Sequence, residues 1–131
     1  MRKALIVDAA LKPGGHYSHA VVANGFVYVA GQGPHDPKTN VAADNFAEQV
    51  RQTLRNIAAI LAEGGAGPEH LVRLTWYVVD MDEYLASLKA LGQIYREIFG
   101  AHYPAMALVQ VVRLVEKAAR VEIEATAVVP R

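Results

Sequence analysis

Val121-Glu122-Ile123-Glu124-Ala125-Thr126-Ala127-Val128, running on into Val129, is the stretch whose reading decides the fold. Successive side chains of a β-strand point to opposite faces, so Val121, Ile123, Ala125 and Ala127 share one face and Glu122, Glu124, Thr126 and Val128 the other. One apolar face demands a partner layer. Working back, Ala107 to Val112 is apolar on both faces apart from Gln110, which predicts a strand covered on both sides. Asp82 to Phe99 carries Tyr84, Leu88, Leu91, Tyr95 and Ile98 at helical spacing, with Gly100 to end it, and predicts one amphipathic helix. Leu71 to Val79 is β-branched and aromatic, a strand. From Asn45 to Glu63, Phe46, Val50, Leu54, Ile57 and Leu61 recur in steps of three and four, a helix that Asp44 can cap and Gly64-Gly65 can close. Asn24-Gly25 between Ala20–Ala23 and Phe26–Ala30 is the signature of a hairpin with a type I′ turn. Gly31 to Asp44 reads as a loop leaving that hairpin, and Leu5 to Val7 as an additional strand. The order ββαβαββ gives an α+β fold, one sheet with two helices on one face. Another subunit is the simplest cover for the opposite face.

With 131 residues, the chain suits one domain. Thirteen basic residues balance thirteen acidic ones, which argues against nucleic acid or a membrane as the partner. A 53% hydrophobic share in so short a chain predicts apolar surface between subunits. The absence of cysteine removes disulfides, thiolate metal sites and cysteine nucleophiles, and fits a reducing cytoplasm. Asp8 interrupts the N-terminal apolar run too early for a signal peptide, and no apolar stretch is long enough to span a bilayer.

Two features invite a chemical reading. Glutamates are uncommon in strands, so Glu122 and Glu124 on one face are candidates for a general base acting on water. The competing reading is an edge or rim position where the carboxylates are solvated or paired with Arg113 or Arg120. Gly14-Gly15-His16-Tyr17-Ser18-His19 places polar groups beside glycines just before a strand, either a recognition cluster or a plain loop. The five histidines are scattered, so no metal is expected, and the phosphate-loop, dinucleotide and serine-hydrolase signatures are missing.

Three segments, in order, resemble the Rid (YjgF) family of reactive-intermediate deaminases. Gly15-His16-Tyr17-Ser18-His19-Ala20, followed by Val29-Ala30-Gly31-Gln32, is similar to the family's Gly-Pro-Tyr-Ser-Gln-Ala and Val-Ser-Gly-Gln. Gln49-Val50-Arg51-Gln52-Thr53-Leu54-Arg55-Asn56 is similar to its Gln-x-Arg-Gln-x-Leu-x-Asn, and Tyr103-Pro104-Ala105 through Val128 to its C-terminal block. The resemblance spans nearly the whole chain as one Rid-type domain, residues 1–131. It implies a chorismate-mutase-like homotrimer with a central barrel and clefts between subunits. It further implies hydrolytic deamination of an enamine or imine without a cofactor, Glu122 holding water, Tyr17 lining the cleft and Gly31 forming its wall. Deaminases acting on imino acids have Pro-Ala-Arg-Ser where this chain has Pro104-Ala105-Met106-Ala107. A thioether cannot replace the paired charge-assisted bonds of that arginine, so the departure implies a divergent subgroup.

Met106 and Leu108 are then expected to touch substrate, Leu108 through its backbone N–H, and His16, His19 or Arg113 is expected to supply the missing cation. Against the family's pattern, the second helix is expected to be longer by about one turn, at Tyr84 to Leu91. The substrate expected is a small carboxylated intermediate, such as an aminomuconate-type acid. The alternative is a non-catalytic small-molecule binding or regulatory module of the same fold.

Overall fold

The computed structural model describes Lys3–Leu5 and residues 17–130. Its elements are β1 (Lys3–Leu5), β2 (Ala20–Ala23), β3 (Phe26–Gln32), α1 (Phe46–Glu63), a 3₁₀ turn (Pro68–His70), β4 (Leu71–Val78), α2 (Met81–Ala86), α3 (Leu88–Phe99), β5 (Ala105–Gln110) and β6 (Val121–Val128). One six-stranded sheet has the order β1-β2-β3-β6-β4-β5. All neighbours pair antiparallel except β4 and β5, which are parallel and joined through α2 and α3. β1 pairs Lys3–Leu5 with β2, displaced toward the N-terminus from the expected Leu5 to Val7, whose last two residues lie outside the described residues.

The hairpin follows its turn chemistry, since Asn24 and Gly25 both take positive φ, 50° and 82°. β3 then runs two residues past the expected end, because Ala30 and Gly31 sit in a register shift between Val29 and Gln32 that keeps β3 paired to β6. The loop therefore starts at Gly33, not Gly31.

Helix α1 is capped by Asn45, whose side-chain oxygen accepts the Glu48 N–H at 3.0 Å, and not by Asp44. Gly65, at φ 80°, supplies the left-handed turn that ends it. Its stripe packs on Val27, Val29, Leu74, Val78, Val121 and Ile123, all buried.

The second helix is not continuous. It breaks at Ser87, whose φ of −106° and ψ of 4° leave the helical well, while Ser87 Oγ donates to the Glu83 carbonyl at 2.8 Å. Past the break, Leu91, Ile94 and Phe99 are buried, whereas Leu88 from the expected stripe is half exposed. β5 departs most from expectation. It spans Ala105–Gln110, lies at the sheet edge and is exposed along most of its length, because among the described residues β4 is its one neighbouring strand. No helix among the described residues is long and apolar enough to cross a membrane.

Candidate functional site

The alternation of β6 separates the two faces as the pattern requires. Val121, Ile123, Ala125 and Ala127 are buried under the helices, and Glu122, Glu124, Thr126 and Val128 point the other way. Register adds what joins them there. Glu122 pairs with Tyr77 and Glu124 with Thr75, so β4 contributes Arg73, Thr75 and Tyr77 to the same open face. Tyr28, Arg73, Thr75, Glu124 and Thr126 line a polar hollow of about 230 Å³ there.

Gly31 and Glu122, both singled out in the sequence, are brought together. A Cβ on Gly31 would stand 2.8 Å from Glu122 Cδ and 3.1 Å from its Oε2, closer than side chains tolerate. The carboxylate therefore lies directly on the bare backbone of the bulge. Burial pushes its pKa up, and the neighbouring charge of Glu124 pushes it further. Glu124 is held differently: Tyr77 donates its hydroxyl to Glu124 Oε1 at 3.0 Å, a bond that, with burial and the two carboxylates, raises the Tyr77 pKa. Neither glutamate pairs with an arginine among the described residues, since Arg120 bridges to Glu83 at 3.0 Å and Arg113 is exposed. Tyr77 was missed by the sequence reading. Only the β4–β6 register places it beside both carboxylates.

Tyr17 and His19 run up to the same corner. The Ala30 N–H donates to the His19 carbonyl at 2.9 Å, which ties this segment to the residue before Gly31. His19 is buried, its ring 6.3 Å from that of Tyr17 and nearly perpendicular to it, while Tyr17 is 56% exposed. His16 and the glycines before it lie outside the described residues.

Met106 and Leu108 are not in this corner. They pair with Leu74 and Trp76, and therefore sit on the helix-covered side of the sheet, opposite Glu122. Leu108 packs against the core, and Met106 lines a cavity beneath α2 and α3. Within one chain the residues expected to form one site are thus split between two faces.

The helix motif carries the loops beside the site. Gln49, buried, donates to the Ala43 and Ala118 carbonyls at 2.8 and 2.9 Å and accepts the Arg120 N–H at 2.8 Å. Asn56 donates to the Gly33 and His35 carbonyls at 3.1 and 3.0 Å, and its own oxygen accepts from Gln52 at 2.9 Å. Two buried amides therefore pin the loop that follows Gly31. No cluster of three His, Asp or Glu suited to a metal occurs among the described residues.

Comparison with known proteins follows the same lines. The family model described as endoribonuclease L-PSP matches residues 7–129. A RutC family protein of Pyrococcus horikoshii is 38% identical, over 97% of this chain and 98% of its own. The 2-iminobutanoate/2-iminopropanoate deaminase of Salmonella typhimurium is 34% identical over 98% of both chains. The crystal structure of E. coli TdcF with bound serine superposes with a TM-score of 0.81 at 29% identity, covering 96% of this chain and 99% of that one. On the matched sequence over nearly the whole chain, and on the superposition, the chain belongs to the Rid (YjgF/RutC) family, which includes imine deaminases.

Proposed function

We propose that this protein hydrolyses an enamine or imine to a carbonyl compound and ammonia, in a cleft formed between copies of the chain in a homotrimer. The observation that carries the reading is Glu122, a half-buried carboxylate lying on the backbone of Gly31 with its pKa raised by burial. A base whose pKa is moved toward neutrality shares a proton with water more readily than an ordinary surface glutamate. Water attacks the C=N carbon as Glu122 takes its proton. Glu122 returns that proton to the nitrogen, giving a carbinolamine, and then carries the new hydroxyl's proton to the amine as the C=O bond forms, so that the C–N bond breaks and neutral ammonia leaves; an enamine first takes a proton at its β-carbon and so reaches the imine. The attacked carbon is already electrophilic, so positioning and one base suffice and no cofactor enters. Tyr17 orients the substrate at the mouth.

Two observations support a cleft between copies. Met106 and Glu122 lie on opposite faces of one chain's sheet, so one ligand meets both only when a second copy supplies one of them. The β5 edge, with Met106 and Val109 exposed, is an apolar surface suited to that contact. The relatives named as 2-iminobutanoate/2-iminopropanoate deaminases support the reaction class, and Met106 favours a substrate different from theirs. The family's endoribonuclease name is a poorer fit, given zero net charge and an open face that carries two glutamates.

The apolar lining around Met106 favours one alternative, a binding module without turnover. Freshly generated imines and enamines, 2-iminopropanoate among them, incubated with wild type and Glu122→Ala separate the two. Accelerated ammonia release by wild type and not by the variant supports deamination. Release at the buffer rate by both overturns it and favours binding.

A further inference from the structure

The cavity beneath α2 and α3 measures about 300 Å³, at the small end of ligand pockets. Trp76, Tyr84, Leu91, Tyr95 and Met106 form its apolar walls, and Arg96 is the one charged residue lining it among the described residues. Position 92, one helical turn before Arg96, is glycine, and a Cβ there would stand 3.4 Å from Arg96 Nη1. The guanidinium thus folds back over bare backbone, along the pocket side of α3. Arg96 is exposed, and the ion pairs among the described residues use Arg51, His70 and Arg120, none of them Arg96. Trp76, 4% exposed, buries an indole N–H that no described residue accepts.

An unpaired guanidinium at the rim of an aromatic pocket is complementary to an anion with an apolar body, and its planar fork matches a carboxylate. We propose that this cavity binds a small monocarboxylate with an aromatic or branched apolar body, Arg96 facing the carboxylate and the ring of Trp76 packing on the body. Arg96 then supplies the cation that Met106 cannot. The expected sources are displaced: Arg113 and His19 do not line this cavity, and His16 lies outside the described residues. As a ligand site this stands apart from turnover; as the seat of the substrate it rests on the deaminase reading.

Trp76 is the only tryptophan of the chain, so its fluorescence reports on this cavity directly. Full-length protein is titrated with phenylacetate and with 2-phenylacetamide, which share a shape and differ in charge. Saturable changes are expected for both, with phenylacetate at least about tenfold tighter, a preference that shrinks as salt is added. Arg96→Gln should bring the two ligands within about twofold of each other, and Arg96→Lys should retain part of the preference. Equal affinities in wild type, a preference untouched by Arg96→Gln, or no saturable change would each overturn the proposal. The wild-type comparison needs no variant to fold. Because no step of the assay is catalytic, carboxylate-selective binding without ammonia release sinks the deaminase reading alone, and ammonia release without that selectivity sinks this one alone.

Discussion

On the helix-covered face of the sheet, Val27, Leu74, Val78, Val121 and Ile123 are buried within one apolar cluster. One residue along the same strands, Tyr28, Thr75, Tyr77, Glu122 and Glu124 face the open side. The first face closes on α1 and α3 and holds the fold together. The second leaves two carboxylates and a tyrosine hydroxyl with no layer of described residues over them, an arrangement that costs stability. A strand can carry both because its side-chain period is two, so stability and chemistry are written on alternate residues. Substitutions on the two faces should therefore separate.

The sharpest break of the comparison is at Glu122. Glu122→Gln should lower the rate of imine hydrolysis by about 10²- to 10⁴-fold, the usual contribution of a positioned base. The same change should leave Tm unchanged or raise it. The sign follows from the raised pKa: a carboxylate whose folded pKa exceeds its unfolded value favours folding while protonated, and that contribution is lost as pH rises between the two values. At neutral pH the ionised group is a cost that glutamine removes. A fall in both rate and Tm would show that Glu122 belongs to the structural face after all.

The converse test is Ile57→Ala, in the fully buried stripe of α1. Denaturant unfolding should show a loss of about 2–5 kcal/mol, with the rate per folded molecule preserved. Gly31→Ala should fall between the two. Its Cβ would displace the Glu122 carboxylate, so hydrolysis should drop about tenfold or more, for a stability change below about 1.5 kcal/mol, since a flexible side chain yields more easily than backbone. The smallest effect is expected from Glu124→Gln. With the neighbouring charge gone, the Glu122 pKa falls, and the acid limb of the rate profile should move to lower pH. A limb that stays in place would leave burial as the whole cause of the raised pKa.

The alternating β6 pattern, the Asn24-Gly25 turn and the α1 stripe were legible because each is a local signal, carried by side-chain period or by backbone freedom. Their positions in the structure agree with the reading to within a residue or two. The break at Ser87 was not legible, since the apolar spacing runs through it and only the backbone hydrogen bonds change partners. The exposed edge position of β5 escaped for a related reason: a strand apolar on both faces reads as buried whatever covers it, and among the described residues no strand pairs with its outer edge.

By itself the sequence determined the α+β order, the identity of the buried face and, through three motifs, the family. It also named Glu122 and Gly31. Tertiary structure alone decided that a bulge lays one upon the other, that Tyr77 holds Glu124, and that Met106 shares its cavity with Arg96 on the opposite face. These depend on register between strands far apart in sequence, and no local preference encodes register; it is chosen when the faces pack.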